Sequence, residues 1–252
     1  VTLPILPVLF FAVIFGGMVL RSILGRALGS LATGGLAGFV AWLLTKVVLV
    51  AGFAGVAALV LSLLIGFGVK IALVPLHTWL PDAHSQAPSG ISAMLSGIVI
   101  EIGLLALLRA LSALAGVSDK WSYVLMGFGA LNMIYGNLMA LRQDQVKRLL
   151  AYSSLSHIGY ILLGLGIAMF TGEIGGAQGA FLHIFNHGMM KGLAFLSAGA
   201  LLYGLKLYRG NHDPLVISDL AGAANRYPLP ALAYSIAVLG LGGLPPLAGF
   251  MS

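Results

Sequence analysis

The sequence predicts an all-α fold: a multi-pass transmembrane bundle of about eight spans, with inverted repeats and two broken helices. Three observations predict it. Of the 252 residues, 60% are hydrophobic and only 8% charged, and the mean hydropathy is +1.04. A soluble domain needs about a quarter charged residues to cover its surface, so lipid must be the solvent over most of this chain's girth. Apolar runs of roughly 20 residues, the length that crosses a bilayer core, recur between breakers. Prolines interrupt two of those runs at corresponding places.

In order, the expected spans cover about 3–20, 28–45, 52–74, 89–112, 122–141, 149–169, 177–203 and 229–250. The first boundaries rest on little, because residues 28–74 are one apolar stretch divided only by Thr45-Lys46 and the glycines after them. The 35 glycines suit a bundle whose helices approach closely through small residues. The chain begins directly in the apolar run Val1 to Leu20, without a basic leader or cleavage site, so no cleavable signal peptide is expected. It stops at Ser252 straight after an apolar helix, and both ends read as cut from something longer. Residues 1–252 are expected to form a single membrane domain, truncated at both ends.

The charge pattern sets an expected orientation. Odd-numbered loops hold Arg21, Arg26, Arg142, Lys147, Arg148, Lys206, Arg209 and Arg226, against Lys46, Arg109 and Lys120 for the even-numbered side. Basic residues accumulate on the cytoplasmic side, so the odd loops should be cytoplasmic and Val1 should lie opposite; the expected location, a separate expectation, is a prokaryotic cell (inner) membrane. The same bias accounts for the net charge of +6, and no nucleic-acid partner is expected. With no cysteine in the chain, disulfides, thiolate metal sites and Cys-ligated clusters are excluded.

The third and eighth spans carry the prolines. The third ends in Lys70-Ile-Ala-Leu-Val-Pro75, with a further break expected at Pro81; the eighth ends in Gly242-Gly-Leu-Pro245-Pro246-Leu-Ala-Gly249. Proline removes a backbone donor and clashes with the preceding turn, so both spans are expected to be interrupted within the bundle. They stand five helices apart, as paired broken helices do in inverted-repeat transporters, where freed backbone groups face an ion path. The alternative is that these prolines only kink helices for packing.

Few charges occur at membrane depth. Lys70 lies in the last third of the third span, and a lysine at mid-membrane costs on the order of 3 kcal/mol; it either carries protons there or snorkels to the near headgroups. Glu101 lies midway along the fourth span, with Lys70 on the adjacent span as its expected partner. The pair either hands a proton over or is a structural ion pair. The seventh span carries His183, His187 and Lys191, spaced so that they share one helix face in a stripe roughly 12 Å long. His157, on the sixth span beside Ser153, Ser154 and Ser156, extends it. Histidine titrates near neutrality and relays protons through water, although buried histidines can also be satisfied core residues. Histidines at i and i+4 can bind metal, but no acidic third ligand lies close, so no metal site is expected.

Soluble catalytic chemistry is missing: the sequence has no P-loop, dinucleotide fingerprint, nucleophile elbow or paired catalytic carboxylates. No catalytic residue and no cofactor is expected in this chain. It should not be a catalyst alone.

Four stretches carry a resemblance. They are Lys70-Ile-Ala-Leu-Val-Pro-Leu-His-Thr-Trp-Leu-Pro-Asp-Ala-His84-Ser-Gln-Ala-Pro-Ser, Val146-Lys-Arg-Leu-Leu-Ala-Tyr-Ser-Ser-Leu-Ser-His-Ile-Gly, His183 to Gly199, and Gly243-Leu-Pro-Pro-Leu-Ala-Gly-Phe250. In order and spacing, from about residue 60 to 252, they resemble the proton-conducting antiporter family: antiporter-like subunits of respiratory complex I, large subunits of Mrp-type sodium/proton antiporters, and their equivalents in membrane-bound hydrogenases. The resemblance implies two inverted five-helix repeats with a discontinuous helix in each, and a central lysine before the first break, where Lys70 stands. Two departures accompany it. The position of Glu101 is usually lysine or histidine in the complex I subunits, and nothing acidic precedes Asp82 where the family places a glutamate to partner Lys70, a role Glu101 would take over.

The expected function is therefore a proton-translocating membrane subunit of an NADH:quinone oxidoreductase-type or hydrogenase-type complex. Its partners would be other membrane subunits of that complex, the lipid bilayer and protons. Lys147 and Arg148 would anchor the cytoplasmic face. The alternatives are an Mrp-type Na+/H+ antiporter subunit, with Na+ as a coupling ion, and a non-pumping scaffold.

Overall fold

The computed structural model describes residues 5–114, 120–209 and 214–252. The expected location of Val1, and the side chains of Arg21, Arg26, Lys206 and Arg209 counted for orientation, lie outside the described residues. The chain divides into two units, Val1–Ser62 and Leu63–Ser252.

In the first unit every described residue is helical and belongs to α1 (Ile5–Lys70). The interruptions expected near 21–27 and 46–51 are not there. Between Pro7 and Pro75 the sequence has no proline, and a glycine costs about 1 kcal/mol against alanine in a helix without removing a donor. The hydrogen-bond ladder therefore runs on. The segment Ala37–Lys70 is apolar and long enough to cross a membrane, and side chains such as Phe53 are exposed on it.

The second unit begins at Leu63, within the last turns of α1, which stops at Lys70. Its end is a Schellman cap: the Leu73 amide donates to the Gly68 carbonyl at 2.7 Å and the Ala72 amide to Val69 at 3.1 Å. That motif needs a left-handed residue, and Ala72 fills it at φ +56°, which costs an L-residue about 1–2 kcal/mol. The chain then runs without regular helix to α2 (Trp79–Gln86). This is one broken helix, interrupted directly after Lys70. Pro75 lies in the interruption, whereas Pro81, expected as a second break, is the third residue of α2. In the first turn the missing N–H is not needed and the fixed φ suits the helix. The peptide bonds preceding Pro75 and Pro246 are cis.

Then come α3 (Ser89–Ala113), which includes a π-helical turn at Leu95–Val99, α4 (Trp121–Ala140), α5 (Val146–Thr171) and α6 (Ile174–Arg209). These follow the expected spans to within a few residues. A 3-10 turn (Ile217–Leu220), the short α7 (Ala223–Arg226) and α8 (Pro228–Leu241) complete the helices. After α8, the segment carrying Pro245 and Pro246 is irregular and leads to a 3-10 turn at Ala248–Phe250. Among the described residues, four helical stretches are long and apolar enough to cross a membrane: Ala37–Lys70, Ser89–Ala113, Val146–Thr171 and Ile174–Leu205. The chain is an all-α, multi-pass membrane bundle.

Glycine sets the tightest helix pair. A β-carbon on Gly129 of α4 would stand 2.9 Å from the Gly159 carbonyl oxygen of α5, and one on Gly159 would stand 2.5 Å from the Met133 amide nitrogen. Backbone thus rests on backbone, the contact that small residues permit in lipid. A second core, of Val146, Leu150, Ala194, Phe195, Ala198 and Leu201, joins α5 to α6. At its end the Val146 amide donates to Leu215 (3.0 Å) and the Ile217 amide to Asp144 (2.9 Å), which ties the loop before α5 to the loop after α6.

Candidate functional site: a buried Glu–His–Lys cluster

α6 presents His183, His187 and Lys191 on one face, as their spacing requires, and α3 and α5 pack against that face. From α3, Glu101 meets His187: the carboxylate Oε1 and His187 Nδ1 lie 3.0 Å apart. The approach depends on another glycine pair. A β-carbon on Gly188 would stand 2.7 Å from the Gly97 carbonyl oxygen and 3.0 Å from Glu101 Oε2. Gly97 belongs to the π-helical turn of α3, one turn before Glu101.

From α5, His157 completes a three-imidazole cluster. Its Nδ1 shares a hydrogen bond with His183 Nε2 at 2.9 Å. Its ring centroid lies 5.1 Å from that of His183 and 5.0 Å from that of His187. His183 Nδ1 in turn meets Ser252 Oγ at 2.9 Å, and one turn along α6 the Asn186 amide donates to the Ala248 carbonyl at 2.9 Å. The cluster therefore reaches from Glu101 to the segment beyond α8. His187 is fully buried, and its Nε2 has no protein partner.

Lys191 is also fully buried. Its ammonium donates to the Leu150 carbonyl at 2.7 Å and to Ser153 Oγ. Beside it Ser154 and Ser96 join α5 to α3 through their hydroxyls, 2.7 Å apart. The structure thus brings together five of the six residues singled out from the sequence: Glu101, His157, His183, His187 and Lys191.

Lys70 is the sixth, and it stands apart. Its side chain is exposed and lies over Gly103, where a β-carbon would come 2.9 Å from Lys70 Cγ. The expected Lys70–Glu101 pair does not form. Residues two apart on a helix point about 200° from one another, so when Gly103 faces Lys70, Glu101 faces the other way, into α6. The buried-carrier reading of Lys70 is not what this geometry shows; the lysine sealed in the protein is Lys191.

Two contributors escaped the sequence reading. Asn132 of α4, fully buried, accepts from the Val74 amide at 2.8 Å and donates to the Ala72 carbonyl at 3.3 Å, clamping both sides of the break after Lys70. One turn on, Tyr135 packs edge-on to His77, with ring centroids 4.6 Å apart. Asn132 is one of two asparagines in an apolar span, and that was its only signal. The other is His84, fully buried in α2 and stacked on Phe195 at 4.7 Å. It lies inside the motif quoted above but had no assigned role. Arg148 and Lys147 hold α2 from outside, through Asp82 at 3.2 Å and the Ala87 carbonyl at 2.7 Å.

With this geometry in view, residues 23–252 match the model of the NADH:quinone oxidoreductase/Mrp antiporter transmembrane family, and the chain belongs to that family. It is 39% identical over 197 residues to hydrogenase-4 component B of Escherichia coli, covering 74% of this chain and 28% of that protein. In fold it is similar to a chain of the Mrp complex from Dietzia sp. (TM-score 0.64, 21% identity, 97% of this chain and 41% of that one). It is also similar to a chain of respiratory complex I from Thermus thermophilus (TM-score 0.58, 34% identity, 74% and 38%). The chain spans less than half the length of each of these proteins. It is a membrane protein chain homologous to antiporter-like subunits of such complexes, with a buried Glu–His–Lys network.

Proposed function

We propose that this chain translocates protons as one antiporter-like membrane domain of a larger complex, of the NADH:quinone oxidoreductase or hydrogenase type, in which partner subunits supply the driving reaction. The observation that carries the reading is the hydrogen-bonded run Glu101–His187 and His157–His183–Ser252, beside Lys191, in an otherwise apolar bundle. Such groups are expensive in lipid and mark ion pathways, and imidazoles in contact pass protons by exchanging donor and acceptor roles. Glu101 and Lys191 are the fixed ends of this axis. Lys70, at the broken helix, serves as a further carrier once a neighbouring element covers it.

The finer topology belongs to the same proposal. The continuous α1 contributes an apolar crossing at Ala37–Lys70 in place of the separate spans expected there. The break after Lys70 and the irregular segment around Pro245 and Pro246 are counterparts in two inverted repeats, and the odd-numbered loops are cytoplasmic. Proton coupling is favoured over sodium because Glu101 Oε1 is engaged by His187 and the Ser96 and Ser154 hydroxyls bond each other. A scaffold role is the competing reading from another class.

The test is proton uptake by proteoliposomes containing the parent complex, with Lys191→Met and Lys70→Met compared with wild type while the driving reaction is followed in parallel. Loss of uptake in an assembled Lys191→Met complex is the expected result. Uptake at the wild-type ratio in both variants would establish the scaffold reading.

A further inference from the structure

His84 is not part of the cluster described above, and its surroundings are unusual. It is fully buried, and neither ring nitrogen has a hydrogen-bond partner in the protein. A neutral imidazole always carries one N–H and one lone pair, and leaving a buried polar atom unsatisfied costs about 1–3 kcal/mol. His84 therefore leaves one donor and one acceptor for something that is not protein side chain or backbone. Water is the group of that size that can serve both.

What lies on either side gives this a direction. His84 stacks on Phe195 with the rings 17° from parallel, and Phe195 is one turn from Lys191 on the same face of α6. Lys191 and Lys147 are both within electrostatic reach of the imidazole. On the other side, the two residues after His84, Ser85 and Gln86, line an open polar cavity of about 240 Å³ together with Gln145 and Lys147. That cavity lies between the end of α2, the start of α5, and α6 with the loop that follows it. The charged groups around α2 are Asp82, Arg148 and Lys147, of which Asp82 and Arg148 pair with each other at the surface.

The geometry points to His84 as the proton-entry residue of this domain, connecting the polar cavity at the loop face to Lys191 through water on its two ring nitrogens. This rests on the proton-translocating reading above and adds an entry route to it. In each transfer one ring nitrogen takes a proton delivered as hydronium in the cavity, leaving water there, while the other gives its own proton, through water, to Lys191 after that ammonium has passed its proton onward. No net charge is left on the ring, which returns to its first tautomer by rotation. Phe195 packs on one face of the ring, and Lys147 forms the rim rather than a step.

The experiment uses the complex containing the full-length chain in proteoliposomes. His84→Phe keeps the stacking surface but cannot hold a proton; proton uptake should fall by roughly tenfold or more, the scale of a lost proton-transfer group. His84→Ala should be as slow, and imidazole added on the uptake side should restore a measurable part of its rate, with no effect on His84→Phe. Wild-type uptake in both variants overturns the assignment. If Lys191→Met abolishes uptake in the same preparation, only the entry route has failed; if it too is unaffected, the proton-translocating reading fails with it. Should the variants not assemble, an experimental map of the wild-type complex decides. Ordered water on both ring nitrogens of His84 supports the route, and a dry His84 sealed from the cavity overturns it.

Discussion

Glu101 and Lys191 are both ionisable residues enclosed by apolar helices, but they are held in different ways. Glu101 has an ionisable partner in His187, whereas Lys191 rests on a carbonyl and a hydroxyl. A lysine on neutral oxygens can change its charge without breaking an ion pair. Glu101 shares its contact with a second titratable group, so a proton gained or lost by one is felt by the other. Glu101→Lys, which introduces the residue type common at this position in complex I subunits, therefore places an ammonium against His187 and leaves that imidazole without its acceptor. Breaking a buried pair from one side costs about 3–5 kcal/mol. We expect a clear fall in thermal stability of the purified complex and loss of proton uptake; wild-type values for both would show that the pair does not matter. Glu101→Gln retains an acceptor for His187 and should cost less stability while still losing uptake. The surface pair Asp82–Arg148 is a contrast, since Asp82 is 72% exposed. Pairs of that kind contribute about 0–1 kcal/mol.

At the scale of elements, one amide holds the broken helix. The left-handed Ala72 is tolerated because Asn132 bonds to both sides of the turn, at Ala72 and at Val74. Asn132→Leu fits the apolar surroundings but leaves a buried donor and a buried acceptor unmet, at about 1–3 kcal/mol each. The expected outcome is destabilisation of about 2–6 kcal/mol, read from thermal unfolding in detergent. A variant as stable as wild type would mean that the turn is fixed by other contacts. The α4–α5 pair is the second element-level device. Gly159→Leu forces a side chain into a place where even a β-carbon meets the Met133 amide, and overpacking of this kind typically costs 1–3 kcal/mol or more. Because α5 also carries His157, the same substitution should lower uptake, while Gly90→Ala in α3, where a β-carbon meets nothing within 4 Å, should be neutral.

For the whole molecule, orientation turns on the odd-numbered loops, which in the second unit carry Arg142 and Arg226 or adjoin Lys147 and Arg148. The 3.0 Å Val146–Leu215 and 2.9 Å Asp144–Ile217 hydrogen bonds tie two of them together. The absence of cysteine from the chain makes orientation directly measurable. Single cysteines at Gln143 and at Glu173, treated in intact cells with a membrane-impermeant maleimide, should react only after permeabilisation at Gln143 and without it at Glu173. The reverse pattern would overturn the cytoplasmic assignment of the odd-numbered loops.

What the sequence determined by itself is local or compositional. Hydropathy fixed the solvent, run lengths fixed α3 to α6, and the i, i+4, i+8 spacing put His183, His187 and Lys191 on one face, because helix geometry alone decides that. The family was legible for the same reason, since its motifs are short and contiguous. Proline was an ambiguous guide: Pro75 lies in a break and Pro81 in a helix's first turn, and the difference depends on where the next helix starts. Tertiary structure alone decided how each helix is rotated about its own axis. That rotation turned Glu101 toward His187 and away from Lys70, set Asn132 across the break, and buried His84 against Phe195. Rotation is settled by close packing between helices distant in the chain, through contacts such as Gly97 on Gly188, and no spacing within one helix encodes it.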